Sequence, residues 1–400
     1  MMKRLLGLLL LPLALSATNG YLQTGIGVKS KMMGGVGVAY PQDAFASAMN
    51  PAGLIQMCNR WDVGFHWWGL NGRLDQESFD PPFAYQARTH ENLYWPEVAI
   101  SYAFCPCMSA GLAFYATGGF RTNYGETLAV GTLPPNVLSS HYNLYTLTPS
   151  LSWRLSCLHS LGVAVNISVG YFRMTGLEAF DDPLFTVTPG YFTDKGNNYS
   201  AGIGVRVGWL GQLTPKLSLG ATYQSKTWMN HYADYRGFFA DHGNFDLPSQ
   251  WGFGITYKWL PCLVTSIDIV RVNWTDVKML RNDNNQARFG AIDGRGFGWR
   301  DTWIVKGGFA YTFCKCYTIR GGWNYGDQLF GGPETLLNAI PLAPVEHFAS
   351  IGLTWAFGCW EASIDYVYGL RHGVDYEDED LISKIISYEN SVGLSLGRRF

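Results

Sequence analysis

Charged side chains are scarce in this 400-residue sequence. Asp, Glu, Lys and Arg together make up 15% of it, whereas soluble proteins carry about 25%. The 29 basic and 31 acidic residues give a formal net charge of −2, which excludes the strongly basic surface of a nucleic-acid-binding protein. After the N-terminus the sequence also lacks any run of roughly 18 apolar residues. With a mean hydropathy of −0.01, it is therefore not a bundle of membrane-spanning helices.

Glycine and aromatic residues are abundant instead. The sequence contains 47 Gly, 15 Trp, 23 Tyr and 23 Phe. Aromatic residues favour strands, and glycine relieves crowding at bends and where two backbones approach closely. This composition predicts an all-β protein, and a closed barrel accommodates the whole length as a single domain.

The first twenty residues have the three parts of a secretory signal peptide. Residues 1–4 are basic, residues 5–15 are apolar, and residues 16–20 are small or polar. This order is typical of a cleaved signal, and the apolar part is too short for a membrane anchor. We therefore predict a signal peptide over residues 1–20, cleaved between residues 16 and 20. The mature chain is expected to enter a membrane only as β-strands.

From about residue 60 onward, apolar residues alternate with small or polar ones. Leu217, Leu219 and Ala221 lie on one face of a segment whose other face carries Ser218 and Gly220. This period of two predicts strands, and the polar faces hold so few charges that they fit a barrel lumen better than bulk solvent. Fourteen strands are expected to begin near residues 60, 95, 108, 143, 160, 198, 217, 249, 263, 300, 317, 346, 360 and 388. The predicted fold is an all-β, fourteen-stranded antiparallel transmembrane barrel over residues 58–400, and an even strand number is typical of bacterial outer-membrane barrels.

The connections between these strands alternate between long and short. In outer-membrane barrels long loops face the cell exterior and short turns face the periplasm. The predicted outer loops are 71–93, 119–142, 176–197, 229–247, 279–298, 329–345 and 372–387. The last strand ends on an outward-facing aromatic residue, Phe400, as in barrels inserted by the barrel-assembly machinery. We therefore expect the chain in a Gram-negative type of outer membrane, in contact with its lipid and with that machinery.

Residues 21–57 precede the first strand and show no alternation. Five glycines lie between residues 25 and 37 of this segment. A fourteen-stranded barrel leaves an open lumen unless something fills it, so we expect the segment to form a small hatch, or plug, inside the barrel. It is not a nucleotide-binding loop, because Gly27-Val28-Lys29-Ser30 lacks the contiguous Gly-Lys-Ser of that motif. No cofactor is expected.

The glycine-rich residues 25–43 run into Asn50-Pro51-Ala52-Gly53-Leu54. This stretch resembles the N-terminal hatch of the long-chain fatty-acid transporters of the outer membrane, the FadL and TodX type. Similarity continues through residues 220–225, 299–303 and 320–325, so it covers most of the mature chain. The resemblance implies a channel that captures a lipid or hydrocarbon in its long third and fourth outer loops. The substrate then passes to a lumen site beside the hatch and leaves when the hatch moves.

The resemblance also implies individual sites. The hatch motif corresponds to Asn50, Pro51 and Ala52. Gly118 and Gly119 correspond to a kink in the third strand, which in some members opens a gap for sideways release. Whether this chain releases its substrate sideways or into the periplasm is left open by the sequence.

The predicted outer loops 176–197 and 229–247 are rich in large apolar residues. Contiguous exposed apolar surface usually marks a binding site, and a ligand gains about 0.8 kcal/mol for each CH₂ group that it buries there. The candidate substrate-binding residues are Phe180, Leu184, Phe185, Phe192, Tyr235, Phe238 and Phe239. The alternative is that these residues pack the loops into a lid, and the two roles are compatible.

A fatty-acid carboxylate requires a cation in the lumen. The alternation places four basic residues on inward faces, and these are the candidate carboxylate-binding residues: Lys226, Lys306, Arg206 and Arg320. The alternative is structural, with the two arginines paired to inward acids such as Asp268, Glu361 or Asp365 and holding the hatch.

All eight cysteines are predicted to lie on the periplasmic side. They are Cys58, Cys105, Cys107, Cys157, Cys262, Cys314, Cys316 and Cys359. An even number in an oxidising compartment suggests disulfides, although neighbouring turns, two strands apart, are separated by about 10 Å. Bonds between adjacent turns, to the hatch through Cys58, or to another cysteine-rich envelope protein remain open. Zinc is disfavoured, because Cys-X-Cys pairs spread around a rim do not converge on a tetrahedron.

Three other functions make different demands on the sequence. A barrel enzyme would need a Ser-His pair with an orienting partner, and no histidine lies in a recognisable nucleophile context, so we expect no enzyme. Uptake of aromatic hydrocarbons is the alternative within the transport class, and it predicts no inward cation near the ligand. A disulfide-linked structural envelope barrel or adhesin is the alternative outside it, and the cysteines favour that function whereas the intact hatch does not.

Overall fold

The computed structural model describes residues 19–79, 82–127, 137–284, 287–377 and 381–400, so most of the predicted signal peptide lies outside the described residues. The described chain forms fourteen antiparallel strands that close into a barrel. The strands are Arg60–Phe79 (β1), Pro82–Cys105 (β2), Met108–Thr127 (β3), Val137–Arg154 (β4), His159–Thr175 (β5), Asn198–Gln212 (β6), Leu217–Gln224 (β7), Ser249–Leu260 (β8), Leu263–Asn273 (β9), Thr302–Phe313 (β10), Tyr317–Gly326 (β11), His347–Phe357 (β12), Trp360–Glu377 (β13) and Leu381–Arg399 (β14).

Each strand pairs with the next along the chain, and the first and last strands close the wall. β1 and β14 pair from Arg60 opposite Arg399 up to the outer end of the barrel. β7 is the shortest wall strand, and after a break the two-residue strand Trp228–Met229 continues it along β6. Thr227, inside that break, bridges to Leu247 ahead of β8, so the sheet stays continuous there.

Side chains alternate between the lipid-facing surface and the lumen. On β9, Ile267 and Ile269 point outward and are 49% and 43% exposed, whereas Ser266 and Asp268 point inward and are 1% and 0% exposed. The barrel is therefore apolar outside and polar inside, the reverse of a soluble protein, as expected where lipid covers the outer face. No helix in the part of the chain that the structure describes has the length and apolar character needed to cross a membrane.

The expected strand starts agree with the structure except for β2, β4 and β14, which begin at residues 82, 137 and 381. The predicted outer loops 71–93, 119–142 and 372–387 are therefore wrong as loops, because most of their described residues continue the strands into tall hairpins. The pairing of Asn71 with His90 illustrates this continuation. These hairpin segments mix polar and apolar residues: Leu74 and Ile385 point inward and are fully buried, whereas the inward Thr122 and Ser387 are polar. They therefore lack the regular alternation that marks a strand in contact with lipid.

The hatch lies inside the barrel. Its regular elements are two one-turn helices, Val28–Lys31 and Ala46–Met49, and the 3₁₀-helix Pro51–Gln56. Nearly all residues from 27 to 55 are buried, although the wall faces that surround them are polar. This burial follows from their position in the lumen.

The outer loops cover the top of the barrel with short helical segments. These are Glu178–Phe180, Ala233–Tyr235, Ala240–Gly243, Trp274–Asp276, Lys278–Arg281, Gly332–Glu334 and Thr335–Asn338. Their aromatic and aliphatic side chains, with Tyr21 from the N-terminal segment, form the largest apolar cluster among the described residues. The lumen is thus filled by the hatch and roofed by the loops.

Candidate functional site

Asn50 joins the hatch to itself and to the barrel wall. Its side-chain nitrogen donates hydrogen bonds to the carbonyl oxygens of Val38, 2.7 Å away, and of Trp209 on β6, 2.9 Å away. Its side-chain oxygen accepts a 3.1 Å hydrogen bond from the backbone N–H of Ala52. Pro51 begins the 3₁₀-helix, a position that suits proline because the first N–H of a helix has no partner within it. Asn50 is 1% exposed, so the three bonds are shielded from water.

The wall makes room for this motif with two glycines that the sequence analysis did not single out. A Cβ atom at Gly208 on β6 would lie 1.9 Å from Oδ1 of Asn50, and one at Gly162 on β5 would lie 2.3 Å from the backbone nitrogen of Ala52. The hydroxyl of Ser160 also donates to the Ala52 carbonyl oxygen over 3.1 Å. The sequence signal that could have identified them is the frequent Gly and Ser on inward strand faces, because such small residues allow two backbones to approach closely.

Two acidic wall residues bind the hatch directly. Oδ2 of Asp268 accepts hydrogen bonds from the backbone N–H groups of Gly37 at 2.7 Å and Val38 at 2.9 Å. Glu361 forms a buried ion pair with Lys29 of the hatch. Two of the three inward acids that we expected to pair with Arg206 or Arg320 therefore bind hatch groups.

A second group of charges lies at the base of the barrel. Arg60 contacts Asp62 at 2.6 Å and Glu361 at 2.9 Å, and Asp62 accepts a 3.0 Å hydrogen bond from the backbone N–H of the hatch residue Ala44. Burial and, next, the negative charge of Asp62 raise the pKa of the neighbouring hatch residue Asp43 to about 7. The protonation of Asp43 therefore influences how firmly the hatch is held.

The two candidate arginines also hold the hatch. A guanidinium nitrogen of Arg206 donates to the backbone oxygen of Met49 over 2.9 Å, and Nε of Arg320 donates to Oε1 of Gln42 over 3.0 Å. In the described parts of the chain, neither arginine forms an ion pair with Asp268, Glu361 or Asp365. The expected arginine–acid pairing is wrong, because hatch oxygens occupy the positions next to both guanidinium groups.

The two candidate lysines differ in their surroundings. Nζ of Lys306 donates to the backbone oxygen of Thr24 in the hatch over 2.8 Å. Nζ of Lys226 forms an ion pair with Asp246 at 2.8 Å and also donates to the backbone oxygen of Asp276 over 3.1 Å. Lys226 is thus held by the outer loops, whereas Lys306 contacts the hatch.

A cavity separates part of the hatch from the wall formed by β3 to β10. Its volume is about 70 Å³. Leu22 and Ile26 of the hatch and Val270 of the wall contribute apolar surface, and Arg206 and Lys306 contribute positive charge. A lining that combines apolar surface with a few charged groups is typical of small-molecule sites.

The wall is weakened between β2 and β3. Their hydrogen-bonded pairing stops at Val98 opposite Phe114, and the described parts of the two strands are not paired beyond that point. Further out, the contacts between the described parts of the strands include an ion pair of Arg121 with Glu91 at 2.7 Å and a 2.8 Å hydrogen bond from the backbone N–H of Asn123 to the hydroxyl of Thr89. The buried side chain of Trp95 lies beside this unpaired stretch.

The kink expected at Gly118 and Gly119 lies on β3 beyond Phe114, the last residue of β3 that pairs with β2. The register with β4 shifts between Ala116 and Gly118, and the backbone N–H of Gly119 donates to the carbonyl oxygen of Tyr21 over 2.9 Å. A Cβ atom at Gly118 would lie 2.1 Å from that same oxygen. The N-terminal segment therefore lines the inner face of β3 at this register shift, and Gly118 is required for this contact.

The aromatic loop residues are packed more tightly than expected. Phe192, Tyr235, Phe238 and Phe239 are fully buried, Phe180 is half-buried, and only Leu184 and Phe185 are exposed. The rings of Phe192 and Phe238 meet edge to face at 5.5 Å. The expectation of a continuous exposed apolar surface is therefore wrong, because most of these side chains pack against one another as a lid.

The eight cysteines all lie at the rim opposite these loops. Cys58 precedes β1, and the others lie in the turns β2–β3, β4–β5, β8–β9, β10–β11 and β12–β13. All eight are free thiols in this structure, and each is exposed or half-buried. Short turns face the periplasm in barrels of this kind.

The sequence matches the family described as outer membrane protein transport protein (OMPP1/FadL/TodX) over residues 17–380. The chain belongs to this family. The FadL/TodX proteins are outer-membrane channels for the uptake of hydrophobic compounds and are not enzymes, and the present family member is accordingly a transport channel of the outer membrane.

Solved structures of the same fold agree with this assignment. The toluene transporter TodX of Pseudomonas putida superposes with a TM-score of 0.72 at 18% identity, covering 94% of this chain and 99% of its own. A FadL homologue of Pseudomonas aeruginosa gives 0.72 at 15% identity, with 95% and 100% covered. The toluene transporter TbuX of Ralstonia pickettii gives 0.64 at 18% identity, with 94% and 99% covered. No curated protein sequence matches the chain.

Proposed function

We propose that this FadL/TodX family member imports long-chain fatty acids, and that the cavity beside the hatch binds their carboxylate. The observation that supports this substrate is the pair of buried cations in the cavity lining, Arg206 and Lys306. Nε of Arg206 has no hydrogen-bond partner among the described residues. Lys306 has three donors and uses one of them for Thr24. Both cations can therefore donate further hydrogen bonds to an anionic group, whereas a neutral hydrocarbon has no group that would pair with them.

The same two cations connect binding to gating. Arg206 holds the backbone oxygen of Met49 and Lys306 holds that of Thr24, so each contacts a different part of the hatch. A carboxylate is a stronger acceptor than a backbone carbonyl. When it binds, it competes with the hatch for these donors. Substrate arrival would therefore weaken the anchoring of the hatch.

Capture and release complete the proposed path. At the outer end, Leu177, Phe180 and Phe289 line a groove of about 40 Å³, and the exposed Leu184 lies in the same loop as the first two. An alkyl chain can bury its CH₂ groups there, at about 0.8 kcal/mol each. For release, we propose the unpaired stretch between β2 and β3, where separating the strands breaks no backbone ladder.

Uptake of aromatic hydrocarbons is the second candidate. It is favoured by the aromatic side chains around Tyr21, whose ring lies 5.4 Å from that of Trp274, 5.7 Å from that of Tyr142 and 5.9 Å from those of Phe245 and Trp299. Flat ligands pack well against such rings. This candidate predicts that binding is independent of Lys306.

The test is retention of ligand by the folded barrel. The protein in detergent is offered a mixture of long-chain fatty acids and alkyl-aromatic compounds, and native mass spectrometry identifies what stays bound. Lys306→Ala should lower fatty-acid affinity by about 10- to 100-fold, because a charge-assisted hydrogen bond contributes roughly 1.5–3 kcal/mol. Lys226→Ala is the matched control, since that ammonium is engaged by Asp246 outside the cavity lining.

Each outcome decides between the candidates. Fatty acid that is retained by the unchanged protein and by Lys226→Ala, but lost from Lys306→Ala, supports carboxylate import. Retention of neutral aromatic compounds alone favours the hydrocarbon candidate. If a correctly folded barrel retains neither, substrate transport is contradicted and a structural envelope role is favoured.

A further inference from the structure

The cysteines at the periplasmic rim are divided among its turns in a regular way. Going around the rim, the segment before β1 has one cysteine, the turn β2–β3 has two, and the turn β4–β5 has one. The pattern then repeats: the turn β8–β9 has one, the turn β10–β11 has two, and the turn β12–β13 has one. The turn β6–β7, Thr214-Pro215-Lys216, has none and separates the two arcs. The end of β14, which also has none, separates them on the other side. In each arc the middle turn has two cysteines and each outer segment has one.

Neighbouring turns are closer than the 10 Å that the sequence analysis assumed. That distance separates turn centres, but the facing strands of two neighbouring turns are hydrogen-bonded to each other and lie only about 4.8 Å apart. The backbone N–H of Arg154, at the end of β4, donates to the carbonyl oxygen of Cys107 over 2.9 Å. Cys157 follows three residues after Arg154. These two cysteines thus lie on the facing sides of two neighbouring turns, and the space between two such turns is called a gap of the rim below.

The other three gaps have the same arrangement. Thr312 donates to the carbonyl oxygen of Cys262 over 2.8 Å, two residues before Cys314. Ala356 donates to that of Cys316 over 2.7 Å, three residues before Cys359.

At the fourth gap, the register of β1 with β2 places Cys58 level with Ala103, two residues before Cys105. The hydroxyl of Ser101 donates to the Cys58 carbonyl oxygen over 2.9 Å, which holds the segment before β1 against β2. In every double-cysteine turn the first cysteine therefore faces the preceding neighbour and the second faces the following one.

We propose that the periplasmic rim is closed by four disulfides between neighbouring turns: Cys58–Cys105, Cys107–Cys157, Cys262–Cys314 and Cys316–Cys359. Residues on adjacent strands that are offset by two have Cα atoms roughly 7–8 Å apart, and a disulfide needs about 4.4–6.8 Å. The turn tips must therefore lean towards each other, by about an ångström or two in the two pairs offset by two residues and by more in the two pairs offset by three. These residues lie in short turns at the aqueous rim, where such a movement breaks no strand pairing.

The oxidation needs an electron acceptor, and we assign this role to a protein disulfide donor of the periplasm. The thiolate of one cysteine attacks the donor disulfide, which forms a mixed disulfide and releases one donor thiolate. The thiolate of its partner then attacks the mixed disulfide, which forms the rim disulfide and releases the second donor thiol. Two electrons reduce the donor, and the two cysteine protons are balanced by those of the donor dithiol. The outer membrane faces an oxidising compartment, so the product persists there.

The competing arrangement is a bond within each double-cysteine turn. The backbone N–H of Cys107 lies 3.4 Å from Sγ of Cys105, so these two residues are close. Within-turn bonds would, however, leave Cys58, Cys157, Cys262 and Cys359 each without a partner in its own turn. Cross-turn bonds use all eight cysteines, which is why the uneven distribution favours them.

Peptide mapping of the full chain tests the proposal. Protein from outer membranes is alkylated without reduction, digested with trypsin and analysed by mass spectrometry. Cleavage after Lys315 separates the cysteines of the turn β10–β11. We expect peptide 259–271 linked to 307–315, peptide 316–320 linked to 321–371, and one three-peptide product of 32–60, 89–121 and 155–173. Eight alkylated cysteines, links to another protein, or an internal bond in 89–121 beside alkylated Cys58 and Cys157 would overturn the proposal.

A single variant separates the two arrangements further. In Cys107→Ser, the proposal predicts that Cys157 becomes alkylated while Cys58 and Cys105 stay linked. The within-turn arrangement predicts instead that Cys105 becomes alkylated and that Cys157 is already alkylated in the unchanged protein. If the variant folds poorly, the peptide map of the unchanged chain still decides between cross-turn and within-turn disulfides. The outcome is also independent of which substrate the channel carries.

Discussion

Replacing Asn50 by alanine should loosen the hatch without unfolding the barrel. The substitution removes three buried hydrogen bonds, to Val38, Trp209 and Ala52. A typical hydrogen bond contributes about 1 kcal/mol net, and a buried group left without a partner costs roughly 1–3 kcal/mol. The free energy of hatch opening should therefore fall by about 3 kcal/mol, which corresponds to roughly a hundredfold increase in the open population.

Hydrogen exchange measured by mass spectrometry on the protein in detergent gives the opening free energy directly. Amides of residues 28–56 should exchange about a hundredfold faster in Asn50→Ala, while the strand amides of β9 to β14 keep their protection. Asn390→Ala is the matched control, because its side-chain oxygen accepts an exposed 2.7 Å hydrogen bond from Tyr366 and lies in the wall rather than in the hatch. It should change hatch exchange by less than about threefold. Unchanged hatch exchange in Asn50→Ala, or equal loss of protection in the strands, would refute this reasoning.

Three further predictions concern the site of Asn50, the pH dependence of hatch opening, and the contact of Gly118 with the N-terminal segment. Gly208→Ala places a Cβ atom 1.9 Å from Oδ1 of Asn50, so it should accelerate hatch exchange as Asn50→Ala does, and additive effects in the double variant would contradict a shared site. Burial raises the pKa of Asp43 from 3.8 to about 7 in the docked hatch, so docking takes up a proton between these values and is strongest at low pH. The opening free energy, corrected for intrinsic exchange, should therefore fall as pH rises from 5 to 7 and level off above that, and a pH dependence that persists in Asp43→Asn would exclude this carboxyl as its source. Gly118→Ala places a Cβ atom 2.1 Å from the carbonyl oxygen of Tyr21, so it should release the N-terminal segment from β3 and increase ion conductance in planar bilayers, whereas an unaltered conductance would argue against a sealing role for this contact.

Some features could be predicted from the sequence because their causes are local. The alternation around Leu217 and Ser218 reflects a strand that meets lipid on one face, and most strand starts followed from it. The alternation did not identify the hairpins above the membrane, because neither face of these hairpins contacts lipid. Residues such as Asn71 pair their backbone while their side chains carry no alternation.

For the candidate substrate-site residues, the sequence predicted the strand face but not the hydrogen-bond partners. The inward direction of Arg206 and Lys306 follows from counting along a strand. Their engagement with Met49 and Thr24 depends on where the hatch lies in the closed barrel. In the same way, the burial of Phe238 follows from the packing of several loops, which no single segment specifies.

The sequence by itself determined the all-β class, the outward apolar surface, the hatch segment and the position of every cysteine at one rim. These properties follow from the period of two, from glycine content and from spacing, each read within a few residues. Only the tertiary structure decided which wall groups hold Asn50, where the pairing of β2 with β3 stops, and which cysteines face each other. Those contacts join residues far apart in the chain, so they depend on the register and curvature with which fourteen strands close.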